Sequence, residues 1–185
     1  MNPIRRISMC VVLAAVAALP LAQVADAKTE APDVPGDIQV EEGHKVFLSG
    51  HAVGVQIYRC NATAGGFAWG LVAPRATLYD DNGKPTIEHF GGPTWEARDG
   101  SSVVAARDGQ ANVDPTAIPW LRLRATSTSA GPDGDRLVKT TFIQRVATTG
   151  GLAPAAASCN AATTGEQVEV PYTADYYFWK ATSTT

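Results

Sequence analysis

Turn-forming residues cut this chain into runs too short for helices, and that punctuation constrains the fold more than any other feature. Asp81-Asn82-Gly83 and Asp99-Gly100 tolerate the positive φ of a tight hairpin. Gly91-Gly92-Pro93, Gly131-Pro132-Asp133-Gly134 and Gly150-Gly151 break the chain elsewhere. Between them lie runs with apolar residues at alternate positions. In 53–60, Val53, Val55 and Ile57 point one way, and Gln56, Tyr58 and Cys60 the other. Further runs fall at 67–72, 76–80, 86–90, 94–98, 102–106, 118–125, 137–146, 167–170 and 172–181. Beyond the N-terminal segment, no helical stripe of about a dozen residues competes with this period of two. The pattern predicts a single all-β domain of about nine or ten short antiparallel strands, as a sandwich or a barrel. Either solution protects its edges, and at 185 residues one domain is the expectation.

The N-terminus carries an address. Arg5 and Arg6 precede an unbroken apolar run over 9–19, closed by Pro20, and Ala25-Asp26-Ala27 offers the small-x-small pattern of a cleavage site. Residues 1–27 read as a secretory signal peptide cut before Lys28. The run falls short of the roughly twenty apolar residues a spanning helix needs. The mature protein is therefore expected to have no membrane span and to be exported, either periplasmic or extracellular. An extended arm over 28–43 follows, with Pro32, Pro35 and several acids, and then the β domain over 44–185. Cleavage removes Cys10 and leaves Cys60 and Cys159, an even pair in an oxidising compartment, which predicts one disulfide.

Chemistry is sparser. A formal net charge of −3 without basic blocks argues against a nucleic-acid partner. His44, His51 and His89 lack metal-ligand spacing, so no metal is expected. No phosphate-binding loop, dinucleotide fingerprint or Ser nucleophile elbow is present, and no cofactor is expected. The densest segment is 89–101, with a histidine, a tryptophan and charged groups around a Gly-Gly-Pro bend. His89 and Trp95 are candidate ligand contacts with Tyr58, followed by Gln56, Gln144 and Arg145. The plainer reading makes Trp95 a core filler at a β-corner. Glu88 and Glu96 flank the bend, so a hydrolase or lyase using His89 with either acid is the alternative.

Several motifs also travel together. They are Gly54-Val55-Gln56-Ile57-Tyr58-Arg59-Cys60, His89-x-x-Gly92-Pro93-Thr94-Trp95, Asp99-Gly100-Ser101 and Ile143-Gln144-Arg145-Val146. The set resembles an uncharacterised family of exported bacterial and fungal proteins catalogued as a domain of unknown function. That resemblance implies a single domain with paired cysteines and supplies no reaction or catalytic residue. The resulting expectation is a non-catalytic exported module that binds a small molecule, glycan or surface partner. A structural protein of the cell envelope is the further alternative.

Overall fold

A computed structural model describes residues 30–182, so the expected signal peptide and its cleavage site lie outside the described residues. Eight strands follow in order: β1 (His44–Thr63), β2 (Gly66–Tyr79), β3 (Pro85–Phe90), β4 (Thr94–Ala97), β5 (Ser102–Ala111), β6 (Trp120–Ser129), β7 (Phe142–Gly150) and β8 (Gln167–Ala181). Each pairs antiparallel with the next, and β8 returns to β1, so the sheet closes into a barrel. Closure leaves no unpaired edge.

The strand count is lower than expected because several runs fuse. The runs 67–72 and 76–80 form one strand, β2, across Pro74, and 167–170 joins 172–181 as β8 across Pro171. A proline normally ends a ladder because it lacks the N–H donor. Here Pro74 faces Gln56 beside a register shift at Ile57/Tyr58, where the irregular ladder accommodates it. The run 137–146 is corrected in the other direction. Residues 130–141 form a loop, and β7 starts only at Phe142. Asp99 explains the loop. Its carboxylate accepts from the Ser101 hydroxyl (2.6 Å), the Ser101 amide (3.0 Å) and the Arg136 amide (3.0 Å). Ser101 Oγ then accepts from the Leu137 amide at 3.1 Å, which seats Leu137 fully buried in the barrel core.

The two-residue period decides what faces inward. Tyr172, Ala174, Tyr176 and Phe178 of β8 join Ala76, Leu78, Ile87, Trp95, Val103, Leu123 and Ile143 in one interior cluster. The connections β2–β3, β4–β5 and β6–β7 gather at one end of the barrel, which Leu137 plugs. The connections β1–β2, β3–β4, β5–β6 and β7–β8 gather at the other end. There the Cys60–Cys159 disulfide ties the C-terminal part of β1 to the β7–β8 loop, bridging a sequence separation of 99.

Outside the barrel, the segment before β1 lies over β5, β6 and β7. Ile38, in a short 3-10 turn (Gly36–Ile38), is completely buried and packs with Val146, Ala111, Val34, Trp120 and Tyr177. Arg122 donates to the Gln39 carbonyl, and Arg124 pairs with Glu41 at 2.7 Å. A Cβ on Gly109 would collide with the Asp37 carbonyl oxygen, so the close crossing of the arm requires glycine there. β7 is consequently covered on both faces, and Phe142, Ile143 and Gln144 are all buried in succession. Among the described residues no helix is long and apolar enough to cross a membrane.

Candidate functional site

The site begins with one cross-strand pair. In the β3–β4 register His89 lies opposite Trp95, and both side chains are almost wholly buried. Their rings stack with centroids 4.1 Å apart and planes 7° from parallel. Tyr176 of β8 meets both edge-on, at 5.4 Å from His89 and 5.8 Å from Trp95. The His89 Nδ1 lies 2.9 Å from the Thr94 carbonyl oxygen. A carbonyl only accepts, so Nδ1 carries the proton and Nε2 keeps its lone pair. Burial pushes the His89 pKa down to about 4; the Thr94 carbonyl opposes that shift and the Arg145 charge adds to it. The imidazole is neutral at neutral pH.

Arg145 enters from the inward face of β7, opposite Leu121 of β6 and Tyr176 of β8. One of its terminal nitrogens donates to the Pro119 carbonyl at 2.8 Å. None of the ion pairs among the described residues includes it. Its charge acts to lower the pKa of Tyr58, His89, Tyr172 and Tyr176. Burial is the larger influence on each tyrosine and raises its pKa.

Gln56, His89, Trp95, Arg145 and Tyr176 line a single cavity of 290 Å³ at the barrel end opposite Leu137. Leu121 and Leu123 supply its apolar wall, and Leu71, Val72, Pro93 and Arg107 supply its rim. Four buried polar side-chain atoms among the described residues lack a hydrogen-bond partner. Three of them, Gln56 Nε2, Trp95 Nε1 and Arg145 Nε, belong to this cavity's walls. A buried donor without an acceptor costs about 1–3 kcal/mol, so three at one place call for a cause.

Four of the six candidates named from the sequence therefore meet: His89, Trp95, Gln56 and Arg145. Tyr58 stands beside them, its hydroxyl donating to the Gly151 carbonyl at 2.7 Å and holding the β7–β8 loop in place. Gln144 does not join them. It points outward from β7, donates to the Ile38 carbonyl at 2.7 Å and accepts from Trp179 Nε1 at 2.9 Å, clamping the arm. Its neighbour Arg145 points inward because adjacent strand residues face opposite sides. Tyr176, Leu121 and Arg107 were not singled out from sequence. The alternation of β8 puts Tyr172, Tyr176 and Phe178 on one face, but nothing local identifies that face as a cavity wall.

The same alternation separates the acids from the histidine. Glu88 and Glu96 are paired with each other across β3–β4 and are exposed on the outer face, where Glu88 accepts from Thr77 Oγ1 at 2.9 Å. The convergence with His89 that a catalytic pairing requires is absent, since His89 lies on the opposite face of the same strand.

A family model described as Protein of unknown function (DUF3455) matches residues 41–180, which agrees with the resemblance carried by the motifs. No curated protein and no solved structure matches the chain.

Proposed function

We propose a binding role for this chain, which belongs to the family described as Protein of unknown function (DUF3455): an exported, non-catalytic barrel that takes a small molecule in the cavity beside Trp95. The observation that carries the reading is that three residues lining one cavity, Gln56, Trp95 and Arg145, each hold a buried donor without a partner. Such groups find partners in a ligand or ordered water. An eight-stranded barrel is just wide enough to fill with side chains or to hold one small ligand. In this barrel the apolar layer fills one end and the cavity occupies the other. Binding is favoured over turnover because Glu88 and Glu96 face away from His89. Export is supported by the disulfide, which persists in oxidising compartments.

The test is a nuclear magnetic resonance titration of the mature protein with 2-naphthamide and 2-naphthoate, following the Trp95 indole and His89 imidazole signals. At least one probe should shift both, saturably and with one-to-one stoichiometry. Ala73 lines the cavity, and Ala73→Phe should abolish the shifts while leaving the remaining spectrum folded. If neither these probes nor methyl glucoside produces saturable shifts in the wild-type protein, the binding reading fails.

A further inference from the structure

We infer that the cavity ligand is an anion, a small apolar molecule bearing a carboxylate, seated with its charge at Arg145 and its apolar body against Leu121, Leu71 and Val72. This rests on the binding role proposed above and names the ligand class.

The first argument is the polarity of the orphaned atoms. An indole N–H and a guanidinium N–H can only donate, and the Gln56 amide can present its NH₂ beside them. An ionised carboxylate is acceptor-only, so it complements such a set without bringing a donor that needs its own partner. A neutral sugar brings one donor with every hydroxyl and fits a donor-rich wall less well.

The second argument is charge. Arg145 is partly buried, and the described carboxylates in ion pairs are all taken up by other cations. Neither Asp nor Glu lines the cavity, whereas a second arginine, Arg107, stands at its rim. The chain as a whole is acidic, with formal net charge −3, so a cationic cavity is a local departure from its surface. A partly buried cation that no carboxylate partners is incompletely compensated by the Pro119 carbonyl, and an entering carboxylate would supply the missing charge.

The third argument is shape. The indole of Trp95 is pinned by the stacked His89 imidazole, which carries no charge near neutral pH and leaves Arg145 as the attracting group. Exposed Leu71 and Val72 continue the apolar wall to the rim. A ligand with a charged head and an apolar body matches that gradient.

The deciding experiment is calorimetric titration with two probes of nearly equal shape, 2-naphthoate and 2-naphthamide, plus methyl glucoside as a neutral sugar. Naphthoate should bind at least about tenfold more tightly than naphthamide, the size expected of one charge-assisted hydrogen-bonded contact. Arg145→Met should erase most of that preference while naphthamide binding persists. Should Arg145→Met not fold, the wild-type protein still decides: raising salt should weaken naphthoate binding and leave naphthamide unchanged. Equal affinity for the two naphthalenes, or tighter binding of the sugar, overturns the anionic assignment and leaves the binding role standing. No saturable binding by any of the three overturns both.

Discussion

His89 is where residue chemistry and stability meet. Its pKa is about 4 in the folded protein against an ordinary 6.5. Above pH 6.5 neither folded nor unfolded chain protonates it. As pH falls from 6.5 towards 4, the unfolded chain takes up a proton that the folded chain refuses, and stability declines. The expected loss is roughly 3 kcal/mol over that window, levelling off below it. Urea unfolding at several pH values should show this decline in the wild type and its absence in His89→Gln. A parallel decline in both would remove His89 as its source. Gly54 makes a second case at this scale. A Cβ there would strike the Arg75 carbonyl oxygen and Ala76 across the β1–β2 ladder. Gly54→Ala should therefore cost about 3 kcal/mol or more, by overpacking against backbone that cannot yield. A thermal melt near the wild-type value would contradict that contact.

At the scale of elements, two connections hold strands in place. The β4–β5 turn organises the β6–β7 loop through the Asp99 carboxylate, whose pKa is lowered chiefly by the Ser101 hydroxyl and then by the Arg136 amide. A lowered carboxylate stabilises the fold above its unfolded value and loses that contribution as pH falls through its folded value. Asp99→Ala should cost about 2 kcal/mol and speed amide exchange in 130–141, because Leu137 loses the scaffold that seats it. Unchanged exchange in that loop would show that Leu137 packs without Asp99. The arm is the other element. Ile38 is fully buried against β7, and Ile38→Ala should cost about 2–4 kcal/mol. It should also expose 30–43 to proteases. An arm that stays resistant would mean that the Arg124–Glu41 pair and the Gln144 clamp suffice.

For the whole molecule, closure and the disulfide act together. The bond joins chain positions 99 apart in sequence, a loop for which the entropy model gives ~4.7 kcal/mol and measured benefits run nearer 2–4 kcal/mol. The paired mutant Cys60→Ser with Cys159→Ser should lose stability in that lower range. Its largest rise in amide exchange should fall in the β7–β8 loop, which the bond anchors to the cavity end. Unfolding midpoints equal to those of the wild type would mean that the Cys60–Glu166 and Gly165–Cys60 backbone bonds hold the loop alone.

Local chemistry alone settled the β class, the sulfur pair and the hairpins at Asn82-Gly83 and Asp99-Gly100, because turn dihedrals and two-residue alternation act over a few positions. Alternation also says that Gln144 and Arg145 part company, but not which of them faces the barrel interior. Both sides of β7 are buried, one by the barrel and one by the arm, so burial preference in the sequence carries no distinction there. The fusion of runs across Pro74 and Pro171 depended on partner strands that tolerate a missing donor. The cavity draws Gln56 from β1, His89 from β3, Trp95 from β4, Arg145 from β7 and Tyr176 from β8. Those strands become neighbours in space only when β8 pairs with β1. Ring closure is a long-range event with no local signature, so tertiary structure alone decided where the site is.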